Sequence, residues 1–157
     1  MTTARFTVPK QRLTGLLRTP GGPPAAEALA AAQANLETLR PDCISELKQI
    51  LERAEAVFAT LDPGEPEAGL AELYATAVRG VGLGEVCGEG AVDTALHSLC
   101  DLIDSFRTQG RYDAQAIAVH LNGWRLLVMG SVPAEGVATL VSGLTKVSAH
   151  YAPSEEG

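Results

Sequence analysis

Aromatic side chains are scarce: three Phe, three Tyr and one Trp make up 4% of the 157 residues. A core must then be filled by Leu, Val, Ile and Ala at close spacing, a mixture that favours helices. Cysteine is equally sparse. Cys43, Cys87 and Cys100 are odd in number and irregularly spaced, which argues against a disulfide framework and a zinc motif and implies reduced thiols. No stretch approaches the roughly 20 apolar residues that cross a bilayer, and no charged start leads into an apolar run of signal length. The expectation is a cytoplasmic protein with no membrane insertion. Basic charge is in deficit, twelve Lys and Arg against nineteen Asp and Glu for a net charge of −7. That balance repels nucleic-acid phosphates, so no nucleic-acid partner is expected.

What is present is unevenly placed. Arg5, Lys10, Arg12 and Arg18 stand in a stretch without a single acid, and the acids gather from Glu46 onward. Thr19-Pro-Gly-Gly-Pro-Pro24 then interrupts any regular structure. The expected organisation is a basic N-terminal arm over residues 1–22, a helical body over 23–152 and a disordered tail over 153–157.

Within the body, the Ala-rich run from Ala25 to about Leu39 reads as a helix with few packing residues, Leu29, Ala32 and Leu36. Pro41 is expected to restart the chain, with Asp42 in the first turn of a second helix carrying Ile44, Leu47, Leu51, Ala54 and Phe58 at three- and four-residue intervals. The breakers of Leu61-Asp-Pro-Gly-Glu-Pro66 lead to a third helix, Glu67 to about Val81, and a glycine-rich end. A fourth, about Gly90 to Arg107, has Val92, Leu96, Leu99, Ile103 and Phe106 on its core stripe. Asp113 caps a fifth, whose seam includes Leu121 and Trp124, and Val137, Leu140, Leu144 and Val147 mark a sixth. The fold class is all-α, an antiparallel bundle of about six helices with a four-helix core.

Chemistry-bearing motifs are few. Gly80-Val-Gly-Leu-Gly84 is reminiscent of a phosphate-cradling loop, but it follows a helix rather than a strand and lacks a Lys-Ser/Thr ending, so a close helix approach and a bend are the better reading. His97, His120 and His150 fall on three helices with no metal spacing around them. His97 and His120 read as residues at the edge of the core and His150 as solvated; Trp124 reads as a core anchor. His97 stands one turn from Cys100, yet no oxyanion loop or orienting third residue accompanies that pair. No Ser-His-Asp arrangement stands out. No cofactor, no metal and no catalytic residue are expected.

Leu73-Tyr-Ala-Thr-Ala-Val-Arg-Gly80, then Gly82, Gly84 and Ala95-Leu-His-Ser-Leu-Cys-Asp101, together resemble the central hairpin of a histidine phosphotransfer domain, the helical relay module of bacterial two-component signalling. The resemblance continues through Val119-His-Leu-Asn-Gly-Trp-Arg-Leu-Leu127 and Gly143-Leu-Thr-Lys-Val147 and covers most of residues 20–150. In that family an exposed histidine accepts phosphate, with a basic residue three positions later and a glycine next. Arg79 and Gly80 fill the latter places, which puts Thr76 where the histidine should stand. Threonine does not attack a phosphoryl group without a base or metal positioning. The resemblance therefore implies a non-catalytic adaptor that binds a response-regulator receiver domain or a histidine kinase through Glu72, Thr76, Arg79 and Gly80, with Thr76 and Arg79 on the surface. Two alternatives are a working relay through His97 or His120, and a structural bundle that self-associates, as a homodimer for example.

Overall fold

A computed structural model describes residues 24–153. The expected basic arm, and the expected tail after its first residue, lie outside the described residues. Six helices follow in order: α1 Ala25–Thr60, α2 Pro66–Val78, the one-turn α3 Leu83–Val86, α4 Gly90–Gln109, α5 Ala114–Val128 and α6 Ala134–Tyr151. There is no strand among the described residues. The all-α class holds, as five longer helices and one short turn.

The division at Pro41 does not. Ala25–Thr60 is one helix of 36 residues with Pro41 inside it. An interior proline removes one intrahelical bond and costs about 3 kcal/mol, but here strong helix formers flank it on both sides. Pro41 and Glu37, whose carbonyl loses its donor, are both exposed, so water can take the missing bond. Ala25–Ala34 belong to one unit of the chain and Asn35 onward to another.

In the second unit the core is the one the helical stripes anticipate. From α1 it takes Leu47, Ile50, Leu51 and Ala54; from α2, Leu70, Leu73 and Ala77; from α4, Val92, Leu96, Leu99, Leu102, Ile103 and Phe106. Trp124 and Leu144 are buried from α5 and α6. The most deeply embedded element is α4, which touches α2, α3, α5 and α6. Its buried set includes Val92, Ala95, Leu96, Ser98, Leu99, Cys100 and Leu102, too broad for one apolar stripe. Small residues on its second flank make room for α6.

Asp113 caps α5 as anticipated, accepting from the amides of Gln115 (2.8 Å) and Ala116 (3.2 Å). The Tyr151 hydroxyl donates to its other oxygen, and the Tyr151 ring meets Phe106 edge-on at 5.0 Å. One carboxylate thus starts α5 and anchors the end of α6. The Tyr151 and backbone donors hold the Asp113 carboxyl below its ordinary range.

Replacing Pro41 by Ala restores one helical donor at an exposed position. The variant is expected to gain about 1 kcal/mol or more, read as a higher thermal midpoint with unchanged or greater far-UV ellipticity.

Candidate functional site

The surface around Arg79 is built by α1 and α2. The Arg79 guanidinium lies 3.6 Å from Glu46, and that of Arg53 lies 3.4 Å from Glu72. Glu46, Gln49, Ile50, Arg53 and Arg79 line a polar cleft of about 210 Å³. Glu72, Ala75 and Arg79 lie three and four residues apart on one exposed stripe of α2, and Val78 beside them is 44% exposed. Arg53 did not stand out in the sequence, because an arginine on the polar side of an amphipathic helix has no local signature.

The expected quartet does not stay together. Glu72 and Arg79 are at the surface, but Thr76 is only 4% exposed, and its hydroxyl donates to the Glu72 carbonyl at 2.8 Å. That burial corrects the expectation that Thr76 is presented to a partner. Its methyl group joins the core side next to Ala77, and its polar atom is satisfied within its own helix. Gly80 is buried too, and a Cβ there would stand 3.0 Å from Leu96. Its bareness lets α4 approach rather than a partner.

The histidines separate as well. His97 is exposed on α4, while Cys100, its neighbour one turn on, is buried and its thiol pushed up to about 11 by that burial and then by Asp101. A thiol so protonated is no nucleophile near neutral pH. His120 is 1% exposed. Its Nδ1 meets the Ala116 carbonyl at 2.9 Å and its Nε2 meets Ser98 Oγ at 2.9 Å. Ser98 Oγ also lies 3.0 Å from Ser148 Oγ, so three side chains from α4, α5 and α6 form one buried polar chain.

The protonation pattern follows from who can donate. The Ala116 carbonyl accepts only, so Nδ1 carries the proton and Nε2 accepts from Ser98. Ser98 in turn accepts from Ser148, whose proton is shared with the Thr145 carbonyl at 3.1 Å. Ser98 and His120 thus have the spacing of a nucleophile and its base, unforeseen because 22 residues separate them. They are sealed, and the second ring nitrogen faces a carbonyl rather than a carboxylate. The same seal keeps a receiver's phosphoryl group from His120, contrary to its place among the expected candidate acceptors.

The glycine-rich loop has an occupant of its own. Asp93, 5% exposed on α4, accepts from the amides of Gly82 (3.0 Å) and Gly84 (3.1 Å) through Oδ1 and from that of Glu85 (2.7 Å) through Oδ2. Converging amides of this kind make an anion-binding concavity, and here a side chain of the same chain fills it. Gly82 has φ 89°, which favours glycine. A Cβ on Gly84 would stand 2.8 Å from the Glu89 carbonyl and 2.9 Å from Asp93. Arg40 closes the outer side through Glu89 at 3.1 Å. An acid in the first turn of a helix is favourable there in any case, and nothing local in the sequence shows that Asp93 folds back on the loop before it.

Among the described residues, no group of three or more His, Cys, Asp or Glu is arranged to hold a metal ion, and no helix is long and apolar enough to cross a membrane. Comparison with protein-family models, curated proteins and solved structures finds no match.

Two outcomes follow. Asp93→Ala leaves three amides without an acceptor in a largely enclosed place, at about 1–3 kcal/mol each when buried, so denaturant unfolding is expected to show a loss of roughly 3 kcal/mol or more, with Asp93→Asn in between. Burial holds the His120 pKa below its ordinary 6.5. The folded state then binds fewer protons than the unfolded one, and this contribution to stability is present above the unfolded pKa and lost as pH falls below it. Stability is expected to drop between about pH 7 and 5, and His120→Gln to flatten that part of the profile; an unchanged slope in the variant contradicts the assignment.

Proposed function

We propose that this protein is a non-catalytic adaptor that binds an acidic protein surface, a receiver domain or histidine kinase being the partner class, through the α1–α2 face around Arg53 and Arg79. The observation that carries the reading is the pair of exposed guanidiniums facing one cleft, each held only by an exposed carboxylate. Surface ion pairs of this kind contribute about 0–1 kcal/mol, so an incoming acid replaces Glu46 or Glu72 at small cost. Guanidinium forks suit carboxylate and phosphate geometry, and Ala75 and Val78 add apolar area alongside. The buried Thr76 and the sealed His120 favour binding without relay. They also narrow the surface to Glu72 and Arg79, joined by Arg53, and remove Thr76 and Gly80 from it.

The test is titration of the whole chain against purified receiver and kinase domains, with labelled phosphoreceivers to follow transfer. Micromolar or tighter binding without transfer is expected, weakened at least ten-fold by Arg79→Glu and further by Arg53→Glu. Binding that ignores both substitutions, or an acid-labile label on the chain lost in His97→Ala, contradicts the proposal.

A further inference from the structure

The outer face of α5 is apolar and almost free of charge. Val119, Leu126 and Met129 are 42%, 43% and 53% exposed, and with the exposed Asn122 they follow one another at intervals of three, four and three residues. That spacing makes a seam along one side of a helix. Among the described residues α5 is the one helix without Asp or Glu, and Arg125 is its one arginine or lysine. Beside the seam, between α5 and the carboxy-terminal part of α1, lies a hollow of about 260 Å³ lined by Glu55, Phe58, Ala118, Leu121, Asn122 and Arg125. At its edge Arg125 Nε donates to Glu55 at 2.9 Å.

We infer that this face pairs with the same face of a second copy of the chain, α5 against α5 and antiparallel, about a twofold axis level with Trp124. The seam then closes on itself. Val119 meets Met129 of the second copy and Asn122 meets its Leu126, and each layer recurs on the other side of the axis, as an isologous interface requires. Such an axis keeps the α1 flank of one copy opposite the α1 flank of the other. Ala118 and Arg125 stand on that flank, and helical phase leans Met129 towards it. The Met129 side chain of the second copy is thereby level with the hollow at Ala118 and Asn122. From Asn35 onward Met129 is the most exposed large apolar side chain among the described residues, and a flexible, unbranched thioether suits an irregular opening.

Charge points to a second copy as the occupant. The axis brings the Arg125–Glu55 pair of each copy beside its counterpart in reversed order, so each guanidinium faces the other copy's carboxylate and four charges alternate. A chain of net charge −7 repels its own copies, and the acid-free α5 is where they approach at least cost. A parallel pair lacks this fit, because it sets Asn122 on Asn122 and turns the α1 flank of one copy to the α6 flank of the other, which separates the two ion pairs. From Val119 to Met129 the seam is about 15 Å long at 1.5 Å per residue, which gives an interface at the small end of specific ones. The dimer is accordingly reversible and forms between micromolar and millimolar concentration. This face shares no residue with the Arg53–Arg79 cleft, so the pairing stands or falls independently of the adaptor reading.

Sedimentation equilibrium of the full chain from about 1 µM to 1 mM is the test. A monomer–dimer equilibrium is expected, with Leu126→Glu raising the midpoint at least ten-fold while far-UV ellipticity stays in place, since Leu126 is outside the core. Arg79→Glu is expected to leave the midpoint where it is. Under mild oxidation, a mixture of Val119→Cys and Met129→Cys chains is expected to form a disulfide between positions 119 and 129 of different copies, identified by peptide mapping. A chain that remains monomeric at 1 mM overturns the inference, including the cases in which residues 1–23 of the same chain or a partner of another kind covers the seam. So does a dimer that Leu126→Glu leaves intact, or a link that joins position 119 to position 119 in preference.

Discussion

Three amides of one loop converge on one carboxylate, and most of what surrounds the candidate site depends on that contact. The segment between α2 and α4 reverses the chain through glycines that gain nothing from side-chain packing and lose much conformational freedom on ordering. Asp93 compensates by accepting from Gly82, Gly84 and Glu85 at once. Since Asp93 sits in the first turn of α4, the same charge faces that helix's positive end. The loop is thereby tied to the central helix, and Arg79, which enters it, is carried on a defined backbone.

A second polar device acts inside the bundle. The Ser98–His120–Ser148 chain links α4, α5 and α6 across their common interior, where leucines alone would specify burial but not register. Every donor in it has an acceptor, which is the condition under which a buried polar network specifies rather than destabilises. By contrast the Trp124 indole N–H is the one buried side-chain polar atom among the described residues without a partner. Its ring fills the centre of the core at the expense of that bond. Geometry that resembles catalytic machinery, a serine beside a histidine and a glycine loop with converging amides, is in both cases already used by the fold itself.

How much of this was readable before the structure follows from the range of each interaction. The stripes of α2, α4, α5 and α6 were legible because 3.6-residue periodicity is local, as was the Asp113 cap because an acid precedes its own amides by two and three residues. Pro41 misled because a local rule, proline as a breaker, met flanks whose helix propensity outweighed it. Thr76 misled differently. Helical phase and the motif register taken from a resemblance both put it away from Leu73 and Ala77, but it lies close enough to them to turn inward. Asp93, Ser98, Ser148 and Arg53 gave no signal of their roles, since each acts on a partner from another part of the chain. The resemblance supplied a class of partner and a surface; burial has since reduced that surface to the charged residues that helical phase leaves outside.

The most direct test of the account is native-state hydrogen exchange at the Gly82, Gly84 and Glu85 amides. If Asp93 holds the loop to α4, those three amides should exchange only in openings nearly as costly as those of Leu96 and Leu99 in the middle of α4, despite lying in a turn at the edge of the bundle. Exchange within the time of an ordinary exposed loop, with α4 itself still protected, would show that the carboxylate does not hold them, and the defined presentation of Arg79 would lose its basis.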